Sequence, residues 1–159
     1  MTRANKELGD RGEAFAAELL AARGYTVTML PTNFPTYDLE VSRGATTFLV
    51  SVKASRDREH VRLGTRASVE RLEEGNFVMA LLPKTKAKIF LADDGYRLLV
   101  IPAKVAREDA LHVHDTYCAM KGHDKGYSIM VKGYSRRQQQ REVWARWKQY
   151  EDGWDFLPS

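Results

Sequence analysis

The stretch that decides the fold runs from Thr36 to Ser55, TYDLEVSRGATTFLVSVKAS: an acid at Asp38 entering a short strand, a turn at Arg43-Gly44, and an apolar strand ending in Lys53. Successive side chains of a strand alternate faces. Leu39 and Val41 therefore share one face, the core side, and Asp38, Glu40 and Ser42 the other. In the return strand Phe48, Val50 and Val52 form one set and Leu49, Ser51 and Lys53 the second. A loop over residues 43–46 pairs Ser42 with Thr47 and sets Asp38 opposite Ser51; a two-residue loop at Arg43-Gly44 pairs Asp38 with Leu49 instead. Opposed residues point to the same face, so either register predicts that Asp38, Ser51 and Lys53 stay together.

Upstream, residues 5–23 read as a helix with Leu8, Phe15, Leu19 and Ala22 on one stripe and Gly24 as its C-cap. Glu13 falls ~140° from Leu8 at ~100° per residue, on the flank of the buried face, and Gly9 and Gly12 would let backbone approach closely. Tyr25–Leu30 reads as a strand, and the loop PTNFP, Pro31–Pro35, delivers the chain to Asp38.

An acid on one strand, an acid-x-Lys on the next and a Glu on the preceding helix is the arrangement of the PD-(D/E)xK nuclease superfamily, which this segment resembles in its resolvase-like and homing-endonuclease-like branch. The match lies at Asp38, at Lys53 and at Glu13 in Gly9-Asp10-Arg11-Gly12-Glu13; it departs at Ser51, where the family usually carries Glu or Asp. The resemblance covers about the first two-thirds of the chain, and its short, degenerate motif is specific through order and context. It implies an α/β fold with a mixed sheet and a restriction-endonuclease-like core in the order α-β-β-β-α-β, with extra strands and a C-terminal helix. It further implies a metal-dependent DNA endonuclease using Mg²⁺ or Mn²⁺ on duplex or branched DNA. Asp38 would be the central metal ligand, Glu13 a second and the Val52 carbonyl a third, and Lys53 would orient the attacking water. With Ser51 in the acid's place the cation loses a ligand unless Glu40 substitutes. The runner-up is a catalytically silent nuclease fold that binds nucleic acid or protein, for which Ser51 speaks; a third reading is an unrelated α/β protein in which Asp38 and Lys53 form a surface pair of little worth. Enzymes of this kind often act as dimers because a duplex has two strands to cut, so a homodimer is one assembly implied, although no interface is legible.

Beyond Lys53 the segment SRDREHVRLGTRAS is polar and basic, the composition of a solvated loop and also of a place where a phosphate backbone would lie; Arg56, Arg58 and Arg62 are its candidate contacts. A short helix over 67–74, with Val69 and Leu72 inward and Gly75 as its stop, leads to Phe77–Leu82 (FVMALL), an apolar run that predicts a strand covered on both faces. Lys84, Lys86 and Lys88 then alternate along an edge before a strand at 89–92, either blunting that edge or touching phosphates. A strand over 96–101 follows, stopped by Pro102.

His112 and His114 in LHVHD have same-face strand spacing, which a metal could use, although two histidines without a third ligand more often serve packing. GHDKGYSIMVKG, 122–133, reads as a loop and a short strand; SRRQQQREVWARWKQY reads as a helix docked by Val143, Trp147 and Tyr150; and Trp154 and Phe156 indicate a tail that packs.

The chain of 159 residues is the size of one domain over 1–159, with the nuclease-like core over about 5–105 and a C-terminal extension over about 106–159. Its 43% hydrophobic and 29% charged residues are ordinary for a soluble protein, no apolar run is long enough for a membrane span, and MTRANKELGD lacks a signal peptide's apolar segment, so a cytoplasmic place without membrane contact is expected. Cys118 is the only cysteine, which excludes an intrachain disulfide and a cysteine zinc cluster. A net charge of +4 allows a polyanionic partner without requiring one.

Overall fold

The computed structural model describes residues 3–84, 95–121, 126–133 and 135–159, with 116–121 as backbone only. The quoted stretch is a hairpin of strands β2 (Leu39–Arg43) and β3 (Thr46–Ala54). Ser42 pairs with Thr47 as the longer-loop reading requires, but Arg43 also pairs with Thr46, which narrows the turn to Gly44-Ala45. Gly44 takes a positive φ of 59°, a conformation open to glycine at no steric cost.

Helix α1 (Arg3–Ala22) and strand β1 (Thr26–Met29) precede the hairpin; strand β4 (His60–Gly64), helix α2 (Arg66–Glu70), strands β5 (Phe77–Pro83) and β6 (Tyr96–Pro102), helix α3 (Ala103–Lys121), strand β7 (Tyr127–Met130) and helix α4 (Gln138–Trp147) follow it, with 3-10 turns at Lys148–Tyr150 and Trp154–Phe156. The expected order α-β-β-β-α-β is met by α1-β1-β2-β3-α2-β5, with β4 inserted. A five-stranded sheet runs β1-β2-β3-β5-β6. The β3–β5 pair is parallel and the other neighbours antiparallel, so the sheet is mixed. Every residue of β5 is buried, as its unbroken apolar run predicts for a central strand.

One face of the sheet is covered by α1. Leu8, Ala16 and Leu20 pack there with Leu39, Val41, Val50, Val52, Met79 and Leu81. The buried stripe of α1 is Leu8, Gly12, Ala16 and Leu20 rather than the expected one; Phe15 and Leu19 lie half-buried at its flank and Ala22 is exposed. The reason is steric. A Cβ on Gly12 would stand 2.7 Å from the Ala54 Cβ, so a residue without a side chain brings the helix axis down onto β3, whereas Gly9 has open space around it.

The other face buries Val78, Ala80, Leu82, Leu99 and Ile101 against residues of α2, α3, β7 and α4. The segment after residue 105 thus supplies Ala106, Ala110, Val113, Ile129, Val143 and Trp147 to the cluster beneath the sheet. Residues 55–68, expected as a solvated loop, include β4, whose Val61 and Leu63 are buried and whose partner is β7. LHVHD lies in α3 and not in a strand. In a helix i and i+2 point apart, so His114 is buried and stacks on Tyr127 with ring centroids 3.6 Å apart, while His112 is exposed. The two histidines therefore share no face. The expected strand at 89–92, Lys86, Lys88 and the side chain of Cys118 lie outside the described residues. At the C-terminus Val143, Trp147 and Tyr150 are buried as read, and the tail packs through Leu157 and a half-buried Trp154, while Phe156 remains 41% exposed. Among the described residues no helix is long and apolar enough to cross a membrane.

Candidate functional site

The site forms where β2 begins. Residues 31–37 cross the end of the sheet in a loop held at three points. The Phe34 amide donates to the Pro31 carbonyl (2.9 Å), and the Tyr37 hydroxyl, donating to the Arg71 carbonyl (3.0 Å), also accepts from the Glu73 amide (2.9 Å). Between them Thr36 adopts φ 67°, a left-handed conformation unusual for a β-branched residue. Its carbonyl accepts the Ser51 hydroxyl at 2.8 Å, and its own hydroxyl donates to the Ser68 carbonyl at 3.1 Å. Such conformations persist only where the surroundings over-determine them.

Two residues later Asp38 is the first residue tied into the sheet after the loop. Its amide donates to the Val50 carbonyl and its carbonyl accepts from the Leu30 amide, both at 2.9 Å. The carboxylate stands at the strand's end, where Oδ2 accepts the Val52 N–H at 2.7 Å in place of a further ladder carbonyl. Its carboxyl neighbours that of Glu13, and the two groups act on each other. Glu13 follows Gly12, the point at which α1 touches β3, so the close helix–sheet approach carries the glutamate to the aspartate. Lys53, half-buried, acts electrostatically on both carboxyl groups.

The environment perturbs all three groups. Glu13 is pushed up to about 7, first by burial, then by the Asp38 charge, their hydrogen bond and Asp10, against the opposing Lys53. Burial also raises Asp38, opposed by the Val52 N–H, Glu13 and Lys53. Lys53 is lowered by burial despite the two carboxyl groups near it. Two acids in contact cannot both ionise without cost, so the pair shares a proton near neutrality.

Glu13, Asp38, Lys53 and the Val52 backbone thus come together, and Ser51 is placed otherwise. It is fully buried (0% exposed), with its hydroxyl given to Thr36. The expectation that Asp38, Ser51 and Lys53 share a face by alternation needs correction at Asp38: alternation holds within a regular strand, Asp38 lies one residue outside β2, and its side chain meets the helix that covers the Leu39 and Val41 face. Glu40, inside β2 and exposed, alternates with those residues and so lies on the face away from α1.

Beside Lys53 opens a cleft of about 380 Å³ lined by Val52, Ala54, Arg56, Asp57 and Arg62 with the first turns of α1. Arg56 is exposed. Asp57, unremarked in the sequence, organises this wall: its Oδ1 accepts the amides of Glu59 (2.9 Å) and His60 (2.7 Å), and its Oδ2 accepts Arg62 Nη2 (3.0 Å). Burial works to raise Asp57, but those amides and the His60 ring outweigh it and hold its carboxyl below the usual range. Arg58 is half-buried, its carbonyl accepting Arg97 Nη1 at 2.8 Å. Lys84 is exposed just past β5, at the end of the sheet where the parallel β3 carries Lys53. The signals that sequence reading missed are Thr36, readable only from its φ, and Asp57, whose Asp-x-Glu-His spacing is that of an aspartate capping its own turn.

The sequence matches no family model and no curated protein. Among solved structures, the Holliday junction resolvase Hjc of the archaeal hyperthermophile Archaeoglobus fulgidus is 17% identical over 77% of this chain and 83% of that one, with a TM-score of 0.48. A bacterial homing endonuclease is 17% identical over 94% of this chain and 88% of that one, with a TM-score of 0.56. At such identity the likeness is one of architecture, and it extends in the second case over nearly the whole chain. Together with the element order and the mixed five-stranded sheet, it shows that the chain has the restriction-endonuclease-like fold.

Proposed function

We propose that this protein is a metal-dependent DNA endonuclease whose site is Glu13, Asp38 and Lys53. The observation that carries this reading is the neighbouring Glu13 and Asp38 carboxyl groups at the start of β2, with Lys53 acting on both. The fold neighbours, a homing endonuclease and a Holliday junction resolvase, make DNA the first substrate class to test.

The donor set fits a hard divalent cation. Two carboxyl groups driven into contact hold a proton that neither would hold alone, and hard oxygen donors at such a place suit Mg²⁺ or Mn²⁺. Glu13, Asp38 and the Val52 carbonyl would hold it. When bound, the cation would supply Lewis-acid charge neutralisation at the phosphoryl oxygens and a more acidic water. The chain's own residues do the rest. The Val52 N–H fixes the Asp38 carboxylate so that its geometry does not relax when a substrate arrives. Lys53, on the same strand, places a cation beside the reacting phosphate and offsets charge that grows in the transition state. Arg56 and Arg62 line the adjoining cleft and meet the DNA backbone; the partly exposed Arg62–Asp57 pair is worth little and exchanges readily for a phosphate. Ser51 is a positioning residue, acting on Asp38 through Thr36.

Nicking of supercoiled plasmid in Mg²⁺ or Mn²⁺ tests the proposal. Wild type should nick, Asp38→Ala and Glu13→Ala should lose the activity at least about a hundredfold, and Lys53→Ala should do likewise while still binding DNA. Glu40→Ala should remain active, since Glu40 lies on the other face. Wild-type protein that binds DNA and never cuts it would leave the fold as a binding module, and protein that does neither would end the reading.

A further inference from the structure

Strands β4 and β7 form a separate two-stranded ribbon. Its inner face buries Val61, Leu63 and Ile129; the outward positions are His60, Arg62, Ser128 and Met130, with His60 opposite Met130 and Arg62 opposite Ser128. This outward face joins two cavities. Arg62 lines the cleft beside Lys53. His60, Ser128 and Met130 line a second cavity of about 280 Å³, completed by His114, Arg137 and Gln140. The wall between the two is one side-chain contact thick, because His60 Nδ1 lies 3.1 Å from Oδ1 of Asp57, and Asp57 lines the first cleft.

The chemistry of the second cavity is that of an anion site. Its described lining includes one guanidinium, two imidazoles and a hydroxyl, and among the described residues no carboxylate. Gln140, 1% exposed, accepts the Met130 amide at 2.9 Å and donates to the Ser128 carbonyl at 3.4 Å, so it holds the ribbon to α4 and fixes the shape of the cavity. The ribbon is anchored elsewhere as well, since Lys132 Nζ meets Glu59 Oε2 at 2.8 Å and Arg97 Nη1 donates to the carbonyls of Arg58 and Val131. A site walled by the ribbon, α3 and α4, next to the cleft beside Lys53 and separated from it by a single side-chain pair, suits a polymer whose charges repeat along its length.

We infer that this cavity receives a second, non-scissile phosphate of the DNA substrate, contacted by Arg137, His60 and Ser128, and thereby sets which phosphodiester lies at Asp38. The inference rests on the nuclease reading and deepens it.

Fluorescence anisotropy of a short labelled duplex with the full chain in EDTA, over a range of salt concentrations, tests it without any cleavage. Arg137→Gln should weaken binding roughly tenfold, alike for unrelated sequences, and lower the slope of log K against log salt by about 1, as loss of one phosphate contact requires. Arg137→Lys should recover most of the slope, and Arg136→Gln, at an exposed neighbour, should leave affinity within about twofold. Cleavage by Arg137→Gln at saturating DNA should spread over neighbouring phosphodiesters. Equal losses in Arg136→Gln and Arg137→Gln would reduce the cavity to general surface charge and overturn the inference while leaving the nuclease reading intact. So would stabilisation of wild type by inorganic phosphate, abolished by Arg137→Gln, with duplex affinity unchanged in that variant, because the site would then serve a small anion. If wild type binds no duplex, the nuclease reading itself falls.

Discussion

Glu13 is the residue whose protonation state decides what the site can hold. Its folded pKa of about 7 exceeds the ordinary 4.5, so in metal-free protein it favours folding fully below about 4.5, and that contribution is lost as pH rises toward 7. Unfolding by urea in EDTA should therefore show stability falling between pH 4.5 and 7, and Glu13→Gln should flatten that slope. Added Mg²⁺ should reverse its sign in wild type, because binding displaces the shared proton. Ser51 poses a different question. Removing its hydroxyl leaves the Thr36 carbonyl without its 2.8 Å donor in a buried setting, so Ser51→Ala should cost about 1–3 kcal/mol in urea and lower kcat more than it raises KM, as a displaced Asp38 would. Ser51→Thr, which keeps the hydroxyl, should recover the kcat. The β2–β3 hairpin was legible in the sequence because its pairing is local information, but the face Asp38 presents was not, because it lies one residue outside β2. The serine's use was not, since the φ of Thr36 is imposed by α2, more than thirty residues away in the chain.

Among the elements, α1 bears most directly on the site. Gly12→Ala would drive a methyl group against Ala54, and the helix must lift or shift to accept it. Glu13 moves with it, so this variant should weaken Mn²⁺ binding by roughly tenfold, read by isothermal calorimetry, while Gly9→Ala, at a position with room, should be neutral or slightly stabilising. Helical periodicity placed α1 and the flank position of Glu13, but its buried stripe was misread because large side chains were weighted over small ones. The β4 strand was hidden for another reason: two apolar residues among arginines give no strand signal alone, and its partner β7 is supplied from more than sixty residues downstream. LHVHD misled in the opposite sense, since a two-residue spacing is also what a helix shows when one histidine faces in and the other out.

Over the whole molecule, α4 and the residues after it are tied to α3 and β6 by a few polar joints. Trp147 is fully buried, and its Nε1 donates to Asp109 Oδ2 at 2.7 Å while Arg146 Nη2 meets Oδ1 at 2.6 Å. Trp147→Ala should destabilise the protein by about 3–5 kcal/mol in urea unfolding, and the loss should appear in one transition that includes the site, because α4 closes the same cluster as β5 and β6. Glu151 is a second joint, accepting Arg97 Nη2 at 2.8 Å and forming a bridge with Leu99. The Asp152 amide then donates to the Leu98 carbonyl at 2.8 Å, so the final residues lie along the outer side of β6. That placement seals one margin of the sheet against foreign strands. The margin at β1 is four residues long and contains an exposed Met29, and among the described residues it is the other edge of the five-stranded sheet, open to main-chain pairing with another chain.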